Sequence, residues 1–271
     1  MPFARINGVT HHYALAGPAG APAVAFVNSL GTDFRIWDQV AAEVAKDHRV
    51  LLYDKRGHGL SGIGATPYAM ETLTADLAGL MDHAGLRDPV ICGVSVGGMI
   101  AQQLSTTRPD LVRALVLCDT LARFGDPQMW LDRVAKIEAG GLAAIVDGMM
   151  QRWFGPGFHE RSAVALDGYR NMFLRQPAEG YIATCFALRD ADLTPLLARI
   201  AVPTVVVVGA DDGASPPDKV EAFARAIPGA RFELLPDCGH IPSVEQPQRL
   251  TASLRSFLSQ VASERVSHAH P

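Results

Sequence analysis

The chain has 271 residues, 48% of them hydrophobic and 19% charged, with a formal net charge of −4. That balance argues against a disordered chain and leaves no basic footprint for nucleic acid. No apolar run reaches the roughly 18 residues of a membrane span, and the first residues lack the basic and then apolar pattern of a leader, so a cytoplasmic protein that binds no membrane is expected.

Strand-like runs open the chain in order: HHYALAG, PAVAFVN and HRVLLYD within the first 54 residues, then DPVICGV and RALVLCD up to Asp119. Several are apolar without alternation, which suits strands buried on both faces of a mostly parallel sheet. Between them, Leu73, Leu77, Leu80 and Met81 recur at helical spacing and predict a sheet-covering helix.

The strand rhythm stops at residues 124–190. That segment holds two of the three tryptophans and four of the eight methionines, and it reads as a helical insert. PTVVVVG and ARFELLP then resume the strands, and Leu250, Leu254, Phe257 and Leu258 mark a closing helix. The expected class is α/β, a mostly parallel twisted sheet with helices on both faces. Its division is a core of residues 1–123 and 191–262, a helical cap of 124–190 and a flexible tail of 263–271. Cys92, Cys118, Cys185 and Cys238 form no C-x-x-C pair, so buried free thiols are expected rather than disulfides or a zinc site.

Gly93-Val94-Ser95-Val96-Gly97 fits G-x-S-x-G between a predicted strand and a predicted helix. A sharp strand-to-helix turn lifts the serine out of the sheet, and side chains two positions to either side would clash there; glycines avoid this. The helix that follows begins with free N–H groups, so Val96 N–H can receive an oxyanion. A serine needs a base to take its proton, and the base needs a carboxylate to hold its tautomer. His240, after the last strand, supplies the base, and Asp211 and Asp212, in the GADD turn after PTVVVVG, are the candidates for the acid. The order Ser, Asp, His is that of α/β-hydrolases, and GADD resembles the pattern of that family in which the fourth residue is the acid, which implies Asp212 rather than Asp211. Asp119, at the end of an earlier strand, is the rival acid.

The stretches NSLGTDFRIWDQV, RVLLYDKRGHGLS, CGVSVGGMIAQ, QRWFGPGF, CFALRDADL and GHIPSVEQP together resemble the 3-oxoadipate enol-lactonases, α/β-hydrolases of the β-ketoadipate pathway of aromatic catabolism. The resemblance spans residues 1 to about 260. It implies hydrolysis of a small anionic enol-lactone with no metal and no organic cofactor. The second oxyanion donor would be Leu30 N–H, in a loop where Asn28-Ser29 replaces the usual His-Gly. Val96 replaces the methionine often found beside the serine, and Asp119 stands where an asparagine is expected. Arg56 and His58, in the turn DKRGHG, are expected to brace loops.

For a carboxylate on the substrate, the insert offers Arg133, Arg152 and Arg189, with Trp130, Met149 and Trp153 as apolar walls. A carboxylesterase or cofactor-free perhydrolase uses the same scaffold, and a small-molecule signalling receptor can retain a complete triad. Nothing in the pattern selects between a monomer and a homo-oligomer.

Overall fold

The computed structural model describes residues 2–268. Eight strands form a single sheet: β1 (Phe3–Ile6), β2 (Val9–Ala16), β3 (Ala23–Val27), β4 (Arg49–Tyr53), β5 (Val90–Val94), β6 (Ala114–Cys118), β7 (Thr204–Gly209) and β8 (Arg231–Leu235). Their spatial order is β1-β2-β4-β3-β5-β6-β7-β8. β2 runs antiparallel to β1 and β4, and every other neighbouring pair is parallel.

The apolar strands take the positions that their composition suits. β5, β6 and β7 are buried along their whole length, because helices cover both faces of a parallel sheet. β1 is absent from the strands expected from the sequence. It is a short edge strand, alternating exposed and buried, and its signal was the Asn7-Gly8 turn, where both residues take positive φ and connect β1 to β2 as a hairpin.

The helices are α1 (Asp38–Val44), α2 (Met70–His83), α3 (Val96–Thr107), α4 (Pro127–Gly140), α5 (Val146–Trp153), α6 (Pro156–Arg161), α7 (Ala163–Leu174), α8 (Ala178–Asp190), α9 (Pro217–Arg225), α10 (Pro242–Glu245) and α11 (Pro247–His268). α2 buries Leu73, Leu77, Leu80 and Met81 and packs on α3, whereas α11 buries Leu250, Leu254, Phe257 and Leu258 and packs on α1. Helices α4 to α8 all lie between β6 and β7, and among the described residues no strand interrupts them.

α11 runs to His268, and residues 269–271 lie outside the described residues. All four cysteines are buried and free, and among the described residues no helix is long and apolar enough to cross a membrane.

Candidate active site

The carboxyl ends of the parallel strands converge on one cavity, as open α/β sheets generally arrange their ligand sites. Ser95 follows β5, Asp119 follows β6, Asp212 lies three residues beyond β7, and His240 follows β8. Ser95 has φ 58° and ψ −123°, a conformation that costs on the order of 1–3 kcal/mol. Four hydrogen bonds hold it there. Its N–H donates to the Cys118 carbonyl at 3.0 Å, and its carbonyl accepts from Gly98 N–H at 2.9 Å, Met99 N–H at 3.2 Å and Thr120 Oγ1 at 2.7 Å.

Both flanking glycines are required by close backbone approach. A Cβ on Gly93 would overlap the Gly97 carbonyl, and one on Gly97 would overlap the Val27 carbonyl of β3. Gly97→Ala is therefore expected to cost about 2 kcal/mol or more, lowering Tm by roughly 4–8 °C in thermal unfolding, and to reduce activity by displacing the serine turn.

The Asp212 carboxylate is fully engaged. Its Oδ1 accepts from Ala214 N–H at 2.7 Å and Ser215 N–H at 3.1 Å, and its Oδ2 accepts from Ser215 Oγ and from His240 Nδ1 at 2.9 Å. Burial opposes its charge, but the His240 ring and these donors outweigh burial and hold the carboxyl below its usual range. With Nδ1 committed to Asp212, the imidazole keeps Nε2 available on its other side. Ser95 and His240 both line the cavity.

Asp119 is the opposite case. It is wholly buried, its Oδ1 accepts from Gly209 N–H at 2.8 Å, and its Oδ2 has no hydrogen-bond partner among the described residues. Burial and the neighbouring Asp212 charge raise its pKa well above the carboxylate range and so favour its neutral form. Asp119, Asp212 and His240 place one ligand atom each within 4.8 Å of one another. The cluster does not suit a cation, because N–H and O–H donors, His240 Nδ1 among them, already occupy both Asp212 oxygens.

The His240 loop is fastened to the insert. His240 N–H donates to the Trp153 carbonyl at 2.8 Å, and Glu245 accepts from Gly239 N–H at 2.8 Å and from Gly155 N–H at 3.0 Å. Burial pushes the Glu245 carboxyl up to about 7.

The cavity has a volume of about 240 Å³. Of the residues singled out in the sequence, Ser95, His240, Leu30, Trp130, Arg133, Met149, Arg152 and Trp153 line it. The N–H groups of Leu30 and Val96 have no acceptor among the described residues and so remain available to a ligand oxygen. Arg133 stacks over the Trp130 ring at 4.7 Å, and no carboxylate pairs with Arg133 or Arg152 among the described residues. Burial and then the Arg133 charge lower the pKa of Arg152, outweighing the opposing Asp212 charge, as expected of a half-buried cation near another cation with no carboxylate bonded to it.

Arg189 is a correction. It is not among the residues lining the cavity: it pairs with Asp190, at 2.6 Å from Nε to Oδ1, and covers the Phe186 ring. Its place at the end of α8 puts it outside, which a helical pattern alone does not disclose. Lys219, on α9, lines the cavity and was missed, since the path of the Asp212 loop over the cavity is a tertiary feature. Arg56 and His58 brace loops. Arg56 pairs with Asp76 through Nε at 2.5 Å and NH2 at 2.8 Å, and His58 Nε2 accepts from Gly31 N–H at 3.1 Å.

A strand-turn-helix serine, a carboxylate-bound histidine and the free Leu30 N–H around one cavity, with Val96 N–H free at the start of the helix that follows the serine, define a serine hydrolase of the α/β type. A family model for the alpha/beta hydrolase fold matches residues 22–247, and the chain belongs to that family. Within it, the chain is 33% identical to 3-oxoadipate enol-lactonase 2 of Acinetobacter baylyi, covering 93% of this chain and 94% of that one. The crystal structure of the enol-lactonase from Burkholderia xenovorans superposes with a TM-score of 0.92 at 38% identity, covering 95% of this chain and all of that one. A thermophilic esterase from Thermogutta terrifontis, with malate bound, superposes with a TM-score of 0.91 at 31% identity, covering 96% and 99%.

Proposed function

We propose that the protein hydrolyses 3-oxoadipate enol-lactone to 3-oxoadipate, as a cytoplasmic step of aromatic catabolism in the β-ketoadipate pathway. The observation that carries this reading is the pairing, in one small cavity, of Ser95 and His240 with two arginines that have no carboxylate partner. A compact lactone bearing one carboxylate matches that pairing in size and charge. The enol-lactonases among its relatives point the same way.

In the proposed mechanism His240 takes the Ser95 hydroxyl proton as Oγ attacks the lactone carbonyl, and Asp212 stabilises the imidazolium. Leu30 and Val96 N–H groups receive the oxyanion. Collapse breaks the ring C–O bond and expels an enolate oxygen, which His240 protonates. Ketonisation of that tethered enol removes the nucleophile that would close the ring again. Water, deprotonated by His240, then cleaves the acyl-enzyme and releases the diacid.

Purified protein is expected to consume the enol-lactone, followed by loss of its ultraviolet absorbance, with kcat/KM at least 100-fold above that for a neutral aryl ester. Fast turnover of aryl esters with none of the lactone replaces the substrate assignment with a carboxylesterase. Turnover of neither substrate, with retained ligand binding, favours a receptor.

A further inference from the structure

Lys55 is wholly buried at the end of β4, yet the mechanism above does not use it. A buried lysine without a carboxylate partner is costly, and folds retain one where its N–H bonds are needed. Among the described residues the one hydrogen bond of its Nζ runs to the Ser29 carbonyl, at 2.8 Å. That carbonyl belongs to the peptide unit whose N–H is Leu30 N–H. In a planar trans peptide the C=O and N–H point in opposite directions, so whatever holds the carbonyl aims the N–H.

We propose that Lys55 is a positioning residue of the oxyanion hole: by gripping the Ser29 carbonyl from behind, it turns Leu30 N–H toward the cavity and strengthens it as a donor. The inference rests on the reading of Ser95 as a nucleophile attacking an acyl carbonyl.

Three further contacts agree. Thr32 Oγ1 donates to the same Ser29 carbonyl at 2.9 Å, and Thr32 N–H reaches it at 3.4 Å. On the other side of Leu30, Gly31 N–H is tied to His58 Nε2 at 3.1 Å, so the peptides before and after the Leu30 Cα are both fixed. The interactions that bear on the Lys55 charge are those of Asp54 and Asp33, which favour it, and burial, which opposes it and brings the pKa down to about 7. Burial and the Lys55 charge together keep His58 neutral, the form in which its Nε2 can accept. As ammonium or amine, Lys55 has an N–H to donate. In the ammonium form it also polarises the peptide, drawing electron density toward the carbonyl oxygen and making the amide hydrogen more positive, at the place where transition-state charge develops.

The test compares wild type with Lys55→Met, Lys55→Gln and Thr32→Val on an aryl ester. Alongside kcat and KM, it measures inhibition by an arylboronic acid, which adds to the serine as a tetrahedral anion, and by a planar carboxylate competitor. Loss of a whole oxyanion donor costs on the order of 10²–10³-fold in kcat, and misaiming one is expected to cost Lys55→Met about 10–100-fold. KM and competitor binding should stay within about threefold, and boronate affinity should fall in parallel with kcat. Lys55→Gln, which retains a donor without the charge, should recover part of the loss, and Thr32→Val should show a smaller loss of the same kind. Lys55→Gln and Thr32→Val carry the comparison if Lys55→Met does not fold.

Wild-type kcat and boronate affinity in the folded variants, or equal losses of boronate and competitor binding, overturn the inference while the hydrolase reading stands. A wild type that neither turns over an ester nor binds the boronate removes both.

Discussion

Asp212→Asn is expected to lower kcat by about 10⁴-fold, and Ser95→Ala by about 10⁶-fold, while Asp119→Asn stays within a few-fold of wild type. The asymmetry follows from what each carboxyl does. Asp212 is ionised and accepts from His240 Nδ1 at 2.9 Å, which keeps Nε2 free to take the serine proton. An asparagine there can present its amide N–H to Nδ1, which then has to accept, and the imidazole shifts to the tautomer that cannot act as a base.

Burial and the Asp212 charge favour the neutral form of Asp119, its Oδ1 needs only to accept from Gly209 N–H, and an asparagine oxygen can do the same. The pH dependence of stability separates the two as well. The folded-state pKa of Asp119 is raised, so its favourable contribution is present at low pH and is lost as pH rises toward that pKa. Asp212, with its pKa lowered, contributes stability above the unfolded value that is lost on acidification. Thermal unfolding of Asp119→Asn should therefore lose stability less steeply than wild type as pH rises above the unfolded carboxylate value toward the raised folded one. If Asp119→Asn loses activity by orders of magnitude and Asp212→Asn does not, the assignment of the acid is reversed.

The second large effect concerns substrate charge. Arg152→Met and Arg133→Met are each expected to lower kcat/KM for the anionic lactone by about 10–100-fold, the value of one charge-assisted hydrogen bond of about 1.5–3 kcal/mol. A neutral aryl ester should change by less than about threefold, because it has no group for the guanidinium to hold. Arg189→Ala should affect neither substrate, its side chain being paired with Asp190 away from the cavity. The structure also sets the direction of the stability change. Arg152 is half-buried beside the Arg133 charge, and burial and that charge outweigh the attraction of Asp212, so replacing one cation relieves repulsion, and Tm should be unchanged or raised. Equal losses on neutral and anionic substrates would show that the arginines shape the cavity rather than bind a carboxylate.

Much of the fold was legible in the sequence because the sheet is parallel and covered on both faces. Such strands must be apolar throughout, so VICGV, ALVLC and TVVVVG announce themselves without any partner in view. The serine turn was legible for a related reason: Gly93 and Gly97 are demanded by backbone contacts within a few residues and with β3, and that steric demand is written into composition. β1 was missed because a four-residue edge strand carries half the periodic signal of a buried one, although Asn7-Gly8 marked its hairpin.

The sequence by itself determined the elements, the order of Ser95, Asp212 and His240, and the class of chemistry they can perform, because strand-end loops of a parallel sheet must meet at one edge. Only the tertiary structure decided which arginines face the cavity. Arg133, Arg152 and Arg189 all lie on helices of one insert, and helical periodicity is blind to how one helix is rotated against another. The same holds for Asp119 and Asp212, two aspartates at the ends of adjacent strands. The pKa of Asp212 is lowered and that of Asp119 raised because of the donors and the burial that packing brings to each. Lys55 shows the limit most plainly, since a lysine in DKRGHG reads as a loop residue until the fold buries it against the Ser29 carbonyl.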